Sequence, residues 1–351
     1  MVRRPVPRCP TPPNRRHDQD ERAPSSRGAK AGGSLMLARI GYNLLQVCVV
    51  LAFAPLVEGV ASRLKEILQS KRGPSIFQPY RDIWKLLHKD EIGSEYSSWI
   101  FRAAPYVAFA APIFVALLIP VLTRYPLFFA FMGDMLGGGS ILALGGFFAT
   151  LAAVDTANPY GPMGASRTRM VGFLAEPVFI VVFLTVSFVA GSTIPYIVQM
   201  RWITPIANFF EPSHVLLMIA FLMLILAEDG RIPVDSPSGQ FELAMIERSK
   251  SLEYSGRGAA LMKWAGAMKF FVLICIFLNV LVTPWGLARG FSLGEVLLSI
   301  PLVLFKIFVF VLVLVSIESS LAKLRLFRIP EFLGAAFVTS VVAMITRLSE
   351  I

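Results

Sequence analysis

The chain has 351 residues, of which 55% are hydrophobic and 16% are charged, and its formal net charge is +10. Soluble globular domains carry about 25% charged residues. Here the apolar residues come in runs of about 20, the length that crosses a hydrocarbon layer of about 30 Å. The composition excludes a soluble globular protein and predicts an all-α polytopic membrane protein.

The chain has three cysteines and three histidines. They form no Cys-x-x-Cys pair and no mixed Cys/His cluster, and the chain has no Walker phosphate-binding loop. We therefore expect that this chain binds no iron–sulfur cluster and no structural zinc. We also predict no metal ligand, no cofactor-binding residue and no catalytic residue in it.

Residues 1–35 are a separate basic and proline-rich segment. This segment holds eight Arg and Lys residues against three acids and almost no large apolar residue. It cannot bury enough apolar surface to fold, so we predict a disordered tail followed by a transmembrane domain at 36–351. Because the tail carries half of the net charge, the basic composition does not predict nucleic-acid binding.

Eight apolar runs follow the tail and predict about eight transmembrane helices in the lipid bilayer. The fifth run is short and continues directly into Glu228. The expected spans are roughly Leu37–Val57, Pro105–Thr123, Met135–Ala153, Val171–Thr193, Ser213–Ala227, Met262–Thr283, Leu293–Ile317 and Glu331–Ile345.

The basic residues of the connections predict the orientation in the inner (cytoplasmic) membrane. Most Lys and Arg residues lie in the connections after the first, third, fifth and seventh spans, and basic loops remain cytoplasmic. Both termini are then expected on the outer side. A basic tail on the outer side contradicts the rule that basic segments remain cytoplasmic. This contradiction favours Met36 as the true start of the protein. The alternative is a translocated tail.

The first long connection, residues 62–95, contains an amphipathic helix from Asp82 to His88. Ile83, Leu86 and Leu87 share one face of this helix, with basic residues mostly on the others. One interpretation is a helix at the lipid headgroups, and the other is a docking platform for a soluble partner. The residues alone favour neither.

Two isolated charged residues inside predicted spans are candidate functional groups, Glu176 and Lys306. Glu176 lies near the predicted start of the fourth span, where it either caps the helix N-terminus or forms a protonatable site. Pro177 fits the first turn of that helix. Lys306 lies inside the seventh span and needs a partner or a water path. Three further acids lie at span ends, where an interface position explains them: Glu58, Asp155 and Glu318.

The connection at 226–256 concentrates carboxylates between two apolar runs. Prolines 233 and 237 predict irregular backbone over 228–238, and a helical pattern from Gly239 places Glu242 and Glu253 on one face. Carboxylates that lie close together compete for ionisation, which suits them to carry protons near neutral pH. We expect a proton or ion coupling site, whose candidate residues are Glu176, Glu228, Asp229, Arg231, Asp235, Glu242, Glu247, Glu253 and Lys306.

The same connection carries a family resemblance. It resembles the hallmark segment of the large membrane-anchor subunit family shared by respiratory complex I and group 4 [NiFe] hydrogenases. The segments IPVD, QPYRDIWKLL and LFRIPEFLGAAF are more similar to the sequences of the formate hydrogenlyase and hydrogenase-4 branch than to those of complex I. The resemblance is carried by AEDGRIPVDSPSGQFELAMIERSKSLEYSG (227–256), RGPSIFQPYRDIWKLLHKDEI (72–92), MVGFLAEPVF (170–179) and AKLRLFRIPEFLGAAF (322–337).

The resemblance implies a non-catalytic membrane subunit of an oxidoreductase complex. Expected partners are a hydrogenase-like large subunit and iron–sulfur small subunits, which hold the [NiFe] site and the clusters, and antiporter-like membrane subunits. The resemblance implies that electron transfer is coupled to proton or ion translocation. The residues expected to dock the soluble partners are Arg72, Gln78, Tyr80, Arg81, Asp82 and Lys85.

One departure and two alternatives accompany the resemblance. Relatives often have a His-Glu pair where this chain has Glu247 and Arg248, so any relay through that pair is altered here. The first alternative is the quinone-site membrane subunit of complex I, the NADH-quinone oxidoreductase, with quinone as the ligand. The second is a stand-alone ion transporter, which often shows inverted repeats; no clear repeat is present.

Overall fold

The computed structural model describes residues 26–93, 97–130, 133–156, 158–202, 211–235, 246, 249–282, 285–290 and 292–349. The chain divides into two compact units, Met1–Ala38 and Arg39–Ile351. Within the first unit the described part is the beginning of a helix. The second unit contains every contact discussed below.

Ten α-helices account for most of the described residues, and no β-strand occurs among them. In chain order they are α1 (Ser26–Leu68), α2 (Gln78–Leu87), α3 (Trp99–Leu118), α4 (Met135–Val154), α5 (Tyr160–Ala190), α6 (Pro195–Trp202), α7 (Pro212–Glu228), α8 (Gly256–Ile276), α9 (Leu293–Ser320) and α10 (Ile329–Ser349). A π-helical segment, Phe277–Val282, extends α8.

The predicted all-α membrane fold is confirmed. Seven helical segments of the described chain are long and apolar enough to cross a membrane, and they coincide with seven of the predicted spans. The remaining prediction, the fifth span, corresponds to α7, a shorter apolar helix of 17 residues. The predicted amphipathic helix is α2, in which Ile83 is buried and Trp84 is exposed.

Small residues allow the membrane helices to pack closely. α3 packs extensively against α4 and α8. A Cβ atom added at Gly145 on α4 would lie 3.0 Å from the Cβ of Ala111 on α3. The absence of a side chain at Gly145 therefore allows α3 and α4 to pack closely. α8 is the central helix, and its Phe270, Phe271 and Ile274 are buried.

Polar contacts hold the ends of the helices together. At one end, the backbone N–H and hydroxyl of Ser98, which precedes α3, each donate to Asp155 after α4 at 2.7 Å. Lys65 near the end of α1 contacts Glu318 near the end of α9 at the same end. We call this the connection end, because the residues that follow α7 also lie there. At the opposite end, the amide of Gln46 donates to the carbonyls of Ala116 and Ile119.

Two local expectations were wrong. α5 begins at Tyr160 rather than near Val171, so Glu176 and Pro177 lie inside the helix and Glu176 does not cap it. The first turns of α5, before Val171, contain glycine and polar residues. A prediction based on apolar runs alone therefore leaves them out of the membrane helix. The helix expected to reach Glu253 is also absent there. A short 3₁₀ helix, Ser249–Ser251, and a turn occupy 249–253.

The approach of α1 to the segment before α2 can be tested at Gly59. A Cβ at Gly59 would clash with the carbonyl oxygen of Ile76 and lie 3.2 Å from the Cδ of Pro79. Gly59→Ala is expected to lower stability by about 1–3 kcal/mol, because the obstructing atom is backbone. The measured quantity is the thermal midpoint of the detergent-solubilised protein, determined by size-exclusion chromatography after heating.

Gly41→Ala is the matched control on the same helix, because nothing lies within 4 Å of a Cβ built there. Equal midpoints for the two variants would contradict the packing of α2 against α1.

Candidate functional site

Glu318 is a fully buried carboxylate at the connection end. Its Oε1 accepts a hydrogen bond from Lys65 Nζ at 2.5 Å, and its Oε2 lies 3.5 Å from Nη1 of Arg231. The effective cost of taking an ion out of water is several kcal/mol even after relaxation, so a buried charge persists only with a close partner. Glu318 thereby ties α1, α9 and the connection after α7 to one point.

Arg231 joins this group to the carboxylates of the connection. Its Nε donates to Asp229, and its guanidinium lies 4.0 Å from the ring centroid of Phe270 on α8. Burial alone lowers the pKa of Arg231, but the neighbouring Asp229, Glu318 and Glu58 outweigh burial and raise it. Arg231 therefore remains charged and acts as a fixed cation at the centre of the site.

Asp235 is buried and holds two further segments together. One of its oxygens accepts from the backbone N–H of Ile246 at 2.9 Å, and the other accepts from Lys323 Nζ at 3.1 Å. The backbone N–H of Leu324 also donates to the carbonyl of Pro233 at 2.9 Å. These bonds attach the acidic connection to the segment between α9 and α10.

Glu228 ends α7 and pairs with a lysine of the central helix. Lys269 Nζ, on α8, donates to Oε2 of Glu228 at 2.6 Å and to its backbone carbonyl at 2.9 Å. Unpaired carbonyls at a helix C-terminus attract cations, so the backbone and the side chain of Glu228 hold the same ammonium group.

A cavity of about 690 Å³ lies among these groups. Its charges nearly balance, and its wall also includes Leu86 of α2 and Phe270 of α8. This volume lies within the usual range of small-molecule sites, and the charged lining favours water. The ionisable residues that line it are Glu58, Lys65, Glu228, Asp229, Arg231, Asp235, Lys250, Lys263 and Lys269.

A second cavity of about 60 Å³ adjoins the first and contains Glu176. It lies among α4, α5, α7 and α8, and it shares Glu228, Asp235 and Lys269 with the large cavity. The volume accommodates a few water molecules, and several charged groups are available as their partners. The structure therefore places Glu176 in one cavity with Glu228 and Asp235, while Asp229 and Arg231 of the predicted acidic site line the adjoining large cavity.

Other predicted coupling residues lie elsewhere. Glu253 accepts a hydrogen bond from Asn158 and lies outside the lining of both cavities. Lys306 is buried, donates to Oδ1 of Asn279 at 3.0 Å and lies 5.7 Å from the ring of Trp285. Asn279 belongs to the π-helical segment and donates to the carbonyls of Pro120 and Val121, so this contact belongs to the opposite end. The candidates Glu242 and Glu247, with Arg248, lie outside the described residues.

The predicted docking residues divide into two groups on α2 and the segment before it. Gln78, Tyr80 and Asp82 make contacts within the chain: Gln78 donates to Asp82 at 2.7 Å, and the Tyr80 hydroxyl donates to the carbonyl of Ala52. Asp82 also pairs with Lys263 of α8 at 2.5 Å. The exposed group is Arg72, Arg81 and Lys85, beside the exposed Phe77 and Trp84.

Sequence reasoning missed several members of the site. Glu58 and Glu318 were assigned to the membrane interface, and Lys65, Lys263 and Lys269 received no role. The spacing of Lys263 and Lys269 within an apolar run was the available signal, since a charged group inside a span marks a functional position. Nothing in the sequence indicated which carboxylate each lysine contacts. Among the described residues, no group of three or more His, Cys, Asp or Glu residues is arranged to hold a metal ion.

Comparisons with known proteins give one family match and two relatives in Escherichia coli. Residues 41–348 match the family model described as NADH dehydrogenase. The chain is 34% identical over 310 residues to formate hydrogenlyase subunit 4 of Escherichia coli (strain K12), covering 88% of this chain and 98% of that protein. It is 33% identical over 314 residues to hydrogenase-4 component C of the same organism, covering 88% and 96%.

A solved structure supports the fold. A chain of the membrane-bound sulfane sulfur reductase, an archaeal respiratory membrane complex, superposes with a TM-score of 0.74 at 18% identity. The match covers 87% of this chain and 99% of that one. At this identity the likeness establishes the helical architecture alone.

The role of Glu318 as the shared counter-charge can be tested by Glu318→Gln. The change leaves Lys65 and Arg231 buried with an excess of positive charge, so stability is expected to fall by about 3–5 kcal/mol. Chemical unfolding of the detergent-solubilised protein measures the loss, and Glu331→Gln at an exposed position on α10 is the control.

A double-mutant cycle separates pairing from general damage. Lys65→Met combined with Glu318→Gln is expected to cost less than the sum of the single changes, with a coupling energy of about 0.5–3 kcal/mol. Strict additivity would show that the two side chains do not depend on each other.

Proposed function

Since this chain belongs to the NADH dehydrogenase family and is a membrane subunit of a hydrogenase-4/formate hydrogenlyase-type or complex I-like complex, we propose that it docks a soluble redox arm and couples electron transfer to proton translocation. The observation that carries the proposal is the pair of adjoining cavities, which place a chain of ionisable groups from the connection end to Glu176 inside the bundle. The chain itself is the non-catalytic anchor.

The docking surface is formed by α2 and the segment before it. Arg72, Arg81 and Lys85 are exposed together with Phe77 and Trp84, and aromatic and arginine residues are enriched at protein interfaces. The hydrogenase-like large subunit and the iron–sulfur small subunits bind here, and they hold the [NiFe] site and the clusters. Antiporter-like subunits lie beside the helices in the membrane. Both termini of this chain lie on the outer side of the membrane.

The docking helix α2 forms part of one wall of the large cavity, next to the proposed coupling site. α2 contributes Leu86 to that wall, and the Asp82–Lys263 pair attaches α2 to α8. Both side chains of this pair are about one-third exposed, and such pairs contribute about 0–1 kcal/mol. Breaking this pair is therefore inexpensive and changes the surroundings of Lys263 in the wall of the large cavity.

The proton route begins in the large cavity. A change of charge or conformation in the soluble arm shifts the ionisation of the carboxylates there, while Arg231 remains the fixed positive charge. Protons pass by Glu228 to the small cavity and to Glu176. Glu242 and Glu247 belong to the same acidic connection and are proposed to supply protons to the large cavity.

A second candidate function is a quinone site, which the volume of the large cavity favours. About 690 Å³ is enough for a small-molecule ligand. Lys65 and Lys263 are donors suited to quinone carbonyls, and Phe270 and Leu86 supply apolar contact. In that case quinone, as the electron acceptor, would supply two-electron redox chemistry when bound, and the chain would contribute hydrogen-bond donors and a binding surface.

Affinity purification tests the proposed assembly. The complex is isolated in mild detergent through a C-terminal tag and examined by mass spectrometry and metal analysis. We expect a hydrogenase-like large subunit, iron–sulfur subunits, nickel and iron. Co-purifying flavin, NADH-oxidising subunits and quinone would favour the quinone function instead. A chain without partners would contradict both and favour a stand-alone transporter.

Glu176→Gln tests the proton route. The purified complex in proteoliposomes is driven by a low-potential electron donor, dithionite-reduced methyl viologen, and proton movement is followed with a pH-sensitive dye. Removing the protonatable group should reduce the protons moved per electron at least about fivefold, the lower range of coupling between sites. Glu253→Gln is the control, since Glu253 lies outside both cavities. Equal coupling in the Glu176→Gln variant and the wild type would contradict the route.

A further inference from the structure

Two lysines, Lys269 and Lys250, line three cavities of the described chain. Lys269 lines the large cavity, the small cavity that contains Glu176, and a third cavity of about 70 Å³ among α3, α4 and α8. It lies on the central helix, in the second half of α8. Lys250, outside the membrane helices, also lines all three. Lys269 is thus the membrane-helix cation in the wall between the large cavity and Glu176.

In the structure Lys269 is held by Glu228. Its ammonium group donates to Oε2 at 2.6 Å and to the backbone carbonyl at 2.9 Å, and both side chains are about one-quarter exposed to the cavities. Glu228 also lines both the large and the small cavity. The ion pair therefore stands in the boundary that a proton must pass.

A second carboxyl group faces the same small cavity. Glu176 approaches from α5, while Lys269 approaches from α8 on a flexible four-carbon stem. The other charged groups that line this cavity have anchors of their own: Asp235 is bound by Lys323 and by the N–H of Ile246, and Arg169 lies 5.1 Å from the ring of Phe147. Lys250 lies in the short 3₁₀ helix at the cavity edge.

We propose that Lys269 is a switch residue that exchanges between Glu228 and Glu176 and thereby opens and closes the proton route. This inference rests on the proposed coupling function and assigns it a moving part. In the closed state Lys269 pairs with ionised Glu228, and Glu176 carries a proton. In the open state Lys269 pairs with ionised Glu176, and Glu228 carries a proton.

The proton count balances over one exchange. One proton enters Glu228 from the large cavity, and one proton leaves Glu176 for the interior of the membrane arm. Lys269 keeps its charge throughout, so the three groups together hold the same net charge before and after. The physical reason is that an unpaired charge is costly inside the bundle, so the position of the Lys269 ammonium group decides which of the two carboxyl groups is ionised.

The structure of the Glu228→Gln complex, determined by electron cryo-microscopy, tests the exchange directly. Glutamine cannot ionise, so Lys269 is expected to leave residue 228 and lie within about 4 Å of Glu176, the distance of an ion pair. A structure in which Lys269 remains bound to the glutamine side chain and to the backbone carbonyl at position 228 would overturn the proposal.

Substitutions of Lys269 provide an independent readout. In proteoliposomes, Lys269→Met should reduce the protons moved per electron at least about fivefold, while hydrogen evolution from reduced viologen by the detergent-solubilised complex continues. Lys269→Arg should restore part of the proton movement, because it keeps the charge on a long stem. A purely structural role would reduce both activities together, and that result would overturn the proposal.

Lys306→Met is the matched control. Lys306 is also a buried lysine of a membrane helix, but it binds Asn279 and lines none of the three cavities. Proton movement by Lys269→Met equal to that of Lys306→Met would overturn the switch while leaving the coupling function intact. If the wild-type complex moves no protons, the coupling function fails, and the structure of the Glu228→Gln complex still decides whether Lys269 exchanges.

Discussion

Every charge buried in an apolar bundle must have a partner, and this constraint organises the connection end of the protein. Glu318 is completely buried, and its two oxygens face Lys65 and Arg231, which come from different parts of the chain. The cost of burying an unpaired ion is several kcal/mol, comparable with the whole stability of many proteins. The pairing of Glu318 therefore fixes where α1, α9 and the connection after α7 lie relative to one another.

The same constraint separates fixed charges from changeable ones. Arg231 is held by Asp229, Glu318 and the face of Phe270, so it stays in place as a permanent cation. Lys269 has a longer flexible stem and lies where cavities meet. In the proposed coupling, Arg231 is the fixed charge that sets the local field, and Lys269 is the movable charge that responds to it.

The two ends of the bundle differ in polarity. At the opposite end, the side-chain amide of Asn279 in the π-helical segment donates to the carbonyls of Pro120 and Val121, which follow α3, and accepts from Lys306. π-helical turns often occur at functional positions, and here the wider turn contains Asn279. The contacts at that end close the ends of helices, whereas the connection end surrounds a cavity of about 690 Å³.

Periodicity and composition determined the all-α membrane class, the spans other than the short α7, and the amphipathic α2. Hydrocarbon thickness and helix rise are fixed quantities, so the length and the period of an apolar run in the local sequence are enough to identify these helices. The acidic connection also identified Glu228, Asp229, Arg231 and Asp235 as one group. Only the tertiary structure decided that Glu318, Lys65 and Lys269 belong with them, and that Glu253 and Lys306 lie elsewhere. The reason is that a charge inside a span shows that a partner must exist, while the identity of that partner depends on contacts between residues far apart in the chain, such as Lys65 and Glu318.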